Sequence, residues 1–201
     1  MNILQQLSDE MADTTAAVTQ AVVQIQDRHG GVGSGTIWNT DGLIITNAHV
    51  VLHGHHHMRV SRDLSVLLPD GRTRSARVVA VDEENDLAAL QVDASSLPIV
   101  TIGDSASLRP GQWVMAIGHP WGIRNALTAG VIISTGDDMP EIQTGREWIA
   151  LDLQLRPGHS GGPLVDVEGR VVGINTMISG PEVGFAIPVD KVKAFLQQMT
   201  V

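Results

Sequence analysis

The sequence contains no cysteine and very few aromatic residues. Its 201 residues include no tyrosine and only two phenylalanines, at positions 185 and 195. The absence of cysteine excludes disulfide bonds and thiolate metal sites, and it leaves the redox compartment open. The length is sufficient for one large β domain or two small lobes with a proper hydrophobic core.

Basic residues are also scarce. Lysine and arginine total 13 against 22 aspartates and glutamates, which gives a formal net charge of −9. Because a phosphate backbone is bound by clustered lysine and arginine, this balance argues against a nucleic-acid partner. Hydrophobic residues make up 43% and charged residues 17% of the chain, so we expect it to be folded throughout.

Long hydrophobic runs are missing as well. No segment approaches the roughly 18 apolar residues of a membrane span. The first basic residue is Arg28, and the segment before it is polar and amphipathic, unlike a secretory signal. We therefore expect no membrane span and a cytoplasmic location for the sequence as it stands, or a periplasmic or other extracytoplasmic one if an export signal was removed.

Short apolar runs separated by turn signals such as Asp41-Gly42 fill most of the chain. This rhythm is typical of a barrel or a sandwich. We expect helix only in the first half of the segment from Ile3 to Val23 and again from Val189 to Met199. Strands are predicted for two similar halves, at 21–25, 35–38, 43–46, 65–68, 76–81 and 87–92, then at 113–117, 126–134, 148–153, 163–165, 171–177 and 184–187.

A glycine-rich octapeptide carries the most specific functional signal. It reads Pro157-Gly158-His159-Ser160-Gly161-Gly162-Pro163-Leu164. A serine between glycines in a tight turn has an exposed hydroxyl, and nearby N–H groups can point at a developing oxyanion. We expect Ser160 to be a nucleophile and the N–H groups of Gly158 and Ser160 to form the oxyanion hole.

Such a serine needs a base and a carboxylate that orients the base. His49 in Thr-Asn-Ala-His-Val-Val and Asp86 in Asn-Asp-Leu-Ala-Ala-Leu supply them, in the chain order His, Asp, Ser of chymotrypsin-type folds. Alone, His49 is equally well a structural histidine, and an aspartate before an apolar strand, such as Asp86, is more often a turn or cap residue. Together with Ser160 they predict the catalytic triad of a serine protease.

Gly158-x-Ser160-x-Gly162 also fits the nucleophile elbow of α/β-hydrolases. Those enzymes place their histidine after the serine, whereas no histidine follows Ser160 here. The long crossover helices of a doubly wound sheet are missing too. The sequence therefore favours the protease over the hydrolase.

Around these segments the chain resembles the protease domain of the HtrA (DegP/DegS) family of trypsin-like serine proteases, from about Ala21 to Val189. The resemblance extends beyond the triad to Gly33-Ser34-Gly35-Thr36-Ile37, Leu68-Pro69-Asp70-Gly71-Arg72, Gly103-Asp104-Ser105, Ala116-Ile117-Gly118-His119-Pro120, Gly173-Ile174-Asn175-Thr176 and Gly184-Phe185-Ala186-Ile187-Pro188.

The resemblance implies an all-β fold of two six-stranded antiparallel β-barrels, with His49 and Asp86 in the first and Ser160 in the second. It divides the single protease domain into an N-terminal helical segment, a first barrel, a linker, a second barrel and a C-terminal helix. These parts are expected at residues 1–20, 21–102, 103–111, 112–188 and 189–201.

The resemblance also places a substrate pocket, with Gln154 at its base and Asn175, Thr176 and Met177 in its wall. Since no acid is expected there, we predict cleavage after small or medium uncharged residues. Family members usually have asparagine where this chain has His159, and asparagine or serine where it has His119. Beside the oxyanion hole, His159 could tune activity with pH or face solvent, and we expect it to face solvent.

Two features of the family are not found in the sequence. No PDZ domain follows Val189, which is expected of a truncated or a minimal protease. The family commonly forms trimers through aromatic contacts near the N-terminus, but this chain has few aromatic residues. A homo-oligomer such as a trimer would need another apolar contact, which the N-terminal helix could supply.

Four histidines, His53, His55, His56 and His57, crowd one loop after His49. Imidazoles at this density can bind Zn²⁺ or Ni²⁺. The loop also contains Gly54 and no cysteine or acid, which favours a solvated insertion over a functional metal site. We expect neither a metal nor another cofactor.

The predicted function is that of a serine endopeptidase that cleaves unfolded or exposed polypeptides through an acyl-enzyme on Ser160. The alternative is a protease-shaped module that binds peptides, or acts as a holdase, with an inactive oxyanion hole. The presence of His49, Asp86 and Ser160 favours the enzyme, because a pure binder has no chemical use for all three.

Overall fold

A computed structural model of the chain describes residues 2–27, 32–53, 59–61, 63–136, 146–179 and 183–199. They form two closed β-barrels with a helix at each end of the chain, which confirms the predicted fold class. Helix α1 (Ile3–Thr19) starts at Asn2, whose side chain accepts a hydrogen bond from the Leu4 N–H. It continues beyond the first half of the segment in which helix was expected.

The first barrel is built from six strands of the first half of the chain. Their order around the barrel is β1-β2-β3-β8-β7-β6, while β4 and β5 pair with each other. Inward side chains such as Ile37, Ile44 and Leu90 are completely buried, so the alternation along each strand creates an apolar interior. In chain order the strands are β1 (Val22–Gln26), β2 (Val32–Ile37), β3 (Leu43–Thr46), β4 (Leu52–His53), β5 (Arg59–Val60), β6 (Leu64–Leu67), β7 (Thr73–Asp82) and β8 (Leu87–Val92).

The second barrel is built from six strands of the second half of the chain. In chain order the strands of this half are β9 (Thr101–Ile102), β10 (Trp113–Gly118), β11 (Ala126–Gly136), β12 (Trp148–Asp152), β13 (Pro163–Asp166), β14 (Arg170–Ser179) and β15 (Val183–Pro188). The barrel order is β13-β10-β11-β12-β15-β14, with β13 and β14 also paired, and β9 runs parallel to β14 on the outside. Trp148 and Phe185 meet edge to face in its core, with ring centroids 6.2 Å apart.

Two further helices complete the described fold. Helix α2 (Ala48–Val51) is a single turn directly after β3. Helix α3 (Val189–Gln198) buries Val192 and Phe195, and Asp190 near its start accepts a hydrogen bond of 2.7 Å from the Ser105 hydroxyl. Within the described ranges, no helix combines the length and apolar character needed to cross a bilayer.

The register of the first barrel brings two distant segments together. Strands β3 and β8 pair with Thr46 opposite Ala88, so the residues after β3 lie beside the residues before β8. The Asp86 carbonyl accepts hydrogen bonds from the Ala48 N–H at 3.1 Å and from the Asn47 side chain at 3.0 Å. Helix α2 is thereby docked on the turn that carries Asp86.

The second barrel delivers the serine loop to the same cleft. The Ser34 N–H in β2 donates to the Ser160 carbonyl at 2.8 Å, and the Ser34 hydroxyl donates to the Gly158 carbonyl at 2.6 Å. The hydroxyl of Thr36 also reaches the Gly161 carbonyl, at 3.3 Å. Polar groups of the first barrel therefore hold the loop before β13 against the cleft.

Candidate active site

His49 and Asp86 form a hydrogen-bonded pair. Nδ1 of His49 lies 3.0 Å from Oδ1 and 2.9 Å from Oδ2 of Asp86, and the main-chain N–H of His49 donates to Oδ1 at 3.0 Å. The carboxylate therefore fixes both the ring and the start of helix α2. With Nδ1 donating to Asp86, Nε2 is the nitrogen that can accept a proton.

The electrostatics of Asp86 favour its charged form. Burial by itself would raise the pKa of this carboxyl. The hydrogen bond and charge of His49, together with the hydroxyl of Thr176, outweigh burial and hold the pKa of Asp86 below its ordinary value of 3.8. The carboxylate thus remains ionised next to the imidazole and can stabilise the imidazolium that forms when His49 takes a proton.

Thr176 on β14 joins Ser160 to this pair. Its hydroxyl donates to Oδ2 of Asp86 at 2.5 Å, and its carbonyl accepts a hydrogen bond of 2.7 Å from the Ser160 hydroxyl. In the structure this is the bond that the Ser160 hydroxyl makes, rather than one to His49. The three residues of the predicted triad are therefore brought together around a fourth residue that touches two of them.

Residues 156–160, called here the oxyanion turn, are held by the segment that follows β10. The Pro157 carbonyl accepts from the Trp121 N–H at 3.1 Å, and the Gly158 carbonyl accepts from the His119 N–H at 3.1 Å. Because carbonyl and N–H point to opposite sides of a trans peptide, the Gly158 N–H is directed away from Trp121. Within the described residues, the N–H groups of Gly158 and Ser160 donate to no protein acceptor.

Glycine is required at position 158. Its φ is +105°, and a Cβ there would lie 2.5 Å from the His119 carbonyl oxygen and 2.7 Å from Cα of Pro120. A side chain would therefore push the oxyanion turn away from the segment after β10. The glycine lets this turn approach closely enough for both carbonyls to be bound.

Two histidines are buried next to the oxyanion turn. His119 and His159 are each 2% exposed, so the expectation that His159 faces solvent is wrong. Its main chain packs against Gly118 at the end of β10, while hydrogen bonds from β2 hold the neighbouring Gly158 and Ser160. Burial, aided by Arg124 and His159, lowers the pKa of His119 to about 4, and burial also lowers the pKa of His159.

The residues predicted to form the substrate pocket differ in exposure and in their hydrogen-bond partners. Gln154 is exposed and its Oε1 accepts from the Arg156 guanidinium at 2.9 Å. Asn175 is fully buried and its amide donates to the Pro163 carbonyl at 2.9 Å, while the Thr176 hydroxyl binds Asp86. The side chain of Met177 is outside the described part. The pocket stays a prediction, and any contribution of Asn175 to its wall comes from the main chain.

Most of the histidine-rich loop is outside the described residues. This applies to His55, His56 and His57, and to the side chain of His53. In the part of the chain that the structure does describe, no group of three or more histidine, aspartate or glutamate side chains is arranged to hold a metal ion.

The sequence interpretation missed the groups that hold the site together. Thr176 was assigned only to a pocket wall, and Ser34, His119 and Trp121 were given no role in positioning the oxyanion turn. The sequence around Trp121 does indicate left-handed backbone, because Gly122 and Asn125 are residue types that adopt it readily. Trp121 itself adopts φ +52°.

Comparison with known proteins shows similarity over most of the chain. A family model described as "Trypsin-like peptidase domain" matches residues 33–174. "Serine protease HTRA2, mitochondrial" from Drosophila willistoni is 41% identical over 169 residues, covering 83% of this chain and 38% of that protein. The Drosophila ananassae protein of the same description is 38% identical over 204 residues, covering 94% of this chain and 47% of that protein.

The chain thus spans less than half the length of these curated relatives. Their description as mitochondrial refers to those proteins, and it gives the cytoplasmic expectation no support. Among solved structures, the HtrA-type protease AlgW with a tripeptide superposes with a TM-score of 0.83 at 34% identity, covering 94% of this chain and 63% of that one. AlgW with a decapeptide gives a TM-score of 0.83 at 29% identity, covering 94% and 67%.

The matched family model, over residues 33–174, includes parts of both barrels and the segments that carry His49, Asp86 and Ser160. This chain belongs to the trypsin-like peptidase family and, within it, to the HtrA-type serine proteases.

Proposed function

We propose that the chain is a serine endopeptidase in which Ser160 is the nucleophile, His49 the general base and Asp86 the carboxylate that orients the base. The observation that carries this proposal is the continuous contact from Asp86 through Thr176 to the Ser160 hydroxyl, with His49 bound to the same carboxylate. No binding function requires a buried, ionised carboxylate paired with an imidazole beside a serine.

The proposed reaction starts with rotation of the Ser160 hydroxyl from the Thr176 carbonyl towards Nε2 of His49. His49 takes the proton while the serine oxygen attacks the peptide carbonyl, and it then returns the proton to the leaving amine. The resulting acyl-enzyme is hydrolysed by water that is activated in the same way. Asp86 stays ionised throughout and stabilises the imidazolium.

The N–H groups of Gly158 and Ser160 are proposed to bind the oxyanion. Both lack a protein acceptor in the described residues, and the Pro157 carbonyl is turned towards Trp121 instead of the cleft. One such donor is worth about 3 to 4 kcal/mol of transition-state stabilisation. This arrangement disfavours the alternative of a peptide-binding or holdase module with an inactive oxyanion hole.

The proposed substrates are unfolded or exposed polypeptides, cleaved after small or medium uncharged residues such as valine, alanine or leucine. Two solved structures of one relative, AlgW, are described with a tripeptide and with a decapeptide, which supports peptide as the ligand class. The exposed Gln154, bound to a cationic Arg156, offers no carboxylate to a lysine or arginine side chain.

Casein digestion by the wild type beside Ser160→Ala tests the proposed activity. We expect cleavage by the wild type only, with the variant folded to the same thermal midpoint. Equal inertness of both proteins, with retained casein binding, would support the holdase. A peptide panel that varies the residue before the cleaved bond tests the specificity, and a preference for arginyl over valyl peptides would contradict it.

Self-association is proposed to use helix α1. Its Ile3, Leu4 and Leu7 side chains are exposed by 79%, 69% and 52%, although they are large and apolar. Exposed apolar side chains of this kind mark interaction surfaces when they lie close together. Sedimentation velocity of the wild type and of Leu4→Glu tests this, and identical monomeric profiles would contradict it.

A further inference from the structure

His159 forms a closed ring of hydrogen bonds with Arg156 across the oxyanion turn. The Arg156 N–H donates to Nδ1 of the imidazole at 3.1 Å, and the His159 N–H donates to the Arg156 carbonyl at 2.9 Å. Pro157 and Gly158 lie inside this ring. The imidazole therefore determines the separation between the two ends of the segment that presents the Gly158 N–H.

This bond defines the protonation state of the ring. A nitrogen that accepts a hydrogen bond carries no proton, so neutral His159 must hold its proton on Nε2. Protonation of Nδ1 would place an N–H against the Arg156 N–H. The cationic ring could then donate only to the Arg156 carbonyl, 3.2 Å from Nδ1, which already accepts from the His159 N–H.

His119 repeats the same arrangement on the opposite side of the turn. Its Nδ1 accepts from the Asn125 N–H at 3.0 Å, and its own N–H donates to the Gly158 carbonyl and, at 2.9 Å, to the Ser34 hydroxyl. A glycine precedes it because a Cβ at Gly118 would lie 2.8 Å from Cα of His159. The main chain of Gly118 therefore lies against that of His159, while the His119 main chain binds that of Gly158.

Among the residues that the structure describes, neither ring has a polar partner for its other nitrogen. Nε2 of His119 and Nε2 of His159 are both buried, and no described group forms a hydrogen bond with either. Arg124 acts on His119 and Arg156 acts on His159, both as cations, and His159 also acts on His119. A positive charge on either imidazole would thus be buried beside a cation, and for His159 the hydrogen bond to the Arg156 main chain offsets burial only in part.

We propose that His159 is a positioning residue of the oxyanion hole: its neutral imidazole, together with that of His119, holds the oxyanion turn in the conformation that aims the Gly158 N–H at the reacting carbonyl. The role as a determinant of the hole rests on the proposed protease function. The hydrogen-bonded geometry on which it depends can be measured without any activity.

The direction of the pH effect follows from the two histidines. The pKa values of both histidines in the fold lie below the ordinary 6.5. The closed turn is the oxyanion turn as the structure has it, with both rings buried, and the open turn is one in which the rings reach water. The open turn therefore binds more protons than the closed turn. The closed turn is fully stable above pH 6.5 and loses stability as the pH falls below that value. Acid conditions therefore favour the open turn.

The first test compares His159→Asn with His159→Leu. Oδ1 of asparagine can take the place of Nδ1 as an acceptor for the Arg156 N–H, whereas leucine has none. We expect kcat to fall about 100-fold or more in His159→Leu, the loss of one oxyanion donor, with KM within about threefold. His159→Asn should stay within about threefold of the wild type in both.

Asn39→Leu is the matched control. Asn39 accepts from the main-chain N–H groups of Asp41 and Leu43 at 3.0 and 2.9 Å in a turn of the first barrel. Its replacement removes a side-chain acceptor of main-chain N–H groups from an exposed turn that is separate from the oxyanion turn. A loss of thermal stability similar to that of His159→Leu with unchanged kcat is expected, which separates general destabilisation from positioning.

The second test uses ¹⁵N NMR and does not depend on catalysis. We expect His159 in the Nε2–H tautomer, with a ¹⁵N–¹⁵N coupling across its bond to Arg156, and a Gly158 amide resonance that shifts in His159→Leu but not in His159→Asn. Equal kcat in wild type and His159→Leu, equal losses in both variants, or an Nδ1–H tautomer would each overturn the inference. If the wild type cleaves nothing, the proposed function fails, and an unmoved Gly158 resonance in His159→Leu still overturns the positioning role.

Discussion

Removal of the Thr176 hydroxyl, with the shape of the side chain retained, is expected to impair both stability and catalysis. In Thr176→Val, Oδ2 of Asp86 loses the donor that lies 2.5 Å away. The carboxylate is largely buried, and of the described groups only the His49 imidazole and main-chain N–H remain to bind it. The Thr176 carbonyl, which binds Ser160, is unchanged by the substitution.

The magnitude follows from the charge on the acceptor. Hydrogen bonds to charged groups contribute about 1.5 to 3 kcal/mol. If the whole loss is expressed in the transition state, kcat/KM falls about 10- to 150-fold. The same change removes one of the groups that lower the pKa of Asp86, so this pKa rises. Because the stabilisation by a carboxyl of depressed pKa is lost as pH falls through its folded pKa, the variant should unfold at higher pH in acid.

The assay is urea unfolding together with peptide hydrolysis, for Thr176→Val and for Thr176→Ser as the control. Serine retains the hydroxyl and should keep most of the activity and acid stability. A valine variant with wild-type kcat/KM and an unchanged acid unfolding midpoint would refute the reasoning that Thr176 stabilises the charged form of Asp86.

Two further predictions concern the oxyanion turn. Gly158→Ala introduces a Cβ at 2.5 Å from the His119 carbonyl oxygen and should lower kcat by about 100-fold. Gly71→Ala is the control, because φ of Gly71 is also positive, at +87°, but no atom lies within 4 Å of the added Cβ. Similar kcat values for the two variants would contradict the steric argument. For His119, a pKa of about 4 against 6.5 corresponds to about 3 kcal/mol. Between pH 6.5 and 4, the unfolding free energy of the wild type should therefore fall by up to about that amount more than the unfolding free energy of His119→Asn. Urea unfolding at a series of pH values measures both. Parallel plots of unfolding free energy against pH for the two proteins would show that burial of His119 has no such effect.

The sequence predicted the apolar strands well and the polar ones less well. The expected ranges 43–46 and 87–92 coincide with β3 and β8, because their central residues are buried and apolar. Strand β7 begins at Thr73, three residues before the expected start. Its first residues alternate exposed polar side chains such as Ser75 with partly buried ones, so they do not form an apolar run.

For the site, the sequence named the residues that we propose carry the chemistry, but it did not indicate the contacts that hold them. Ser160, His49 and Asp86 stand in recognisable local contexts. The burial of His159 and the contacts of Thr176 arise from packing between segments that are distant in the sequence. Ser34 and His119 are more than 80 residues apart, and so are Thr176 and Asp86. No local pattern encodes such contacts, since they depend on closure of both barrels.

The most direct measurement of the central claim is covalent labelling of the wild-type chain by a serine-directed peptidyl phosphonate, followed by intact mass and peptide mapping. We predict one adduct, located on Ser160. Its formation should be greatly slowed in His49→Ala, whereas Gly71→Ala should be labelled at the wild-type rate. No adduct on Ser160, or one that forms equally fast without the His49 imidazole, would contradict the proposal that these side chains form one catalytic array.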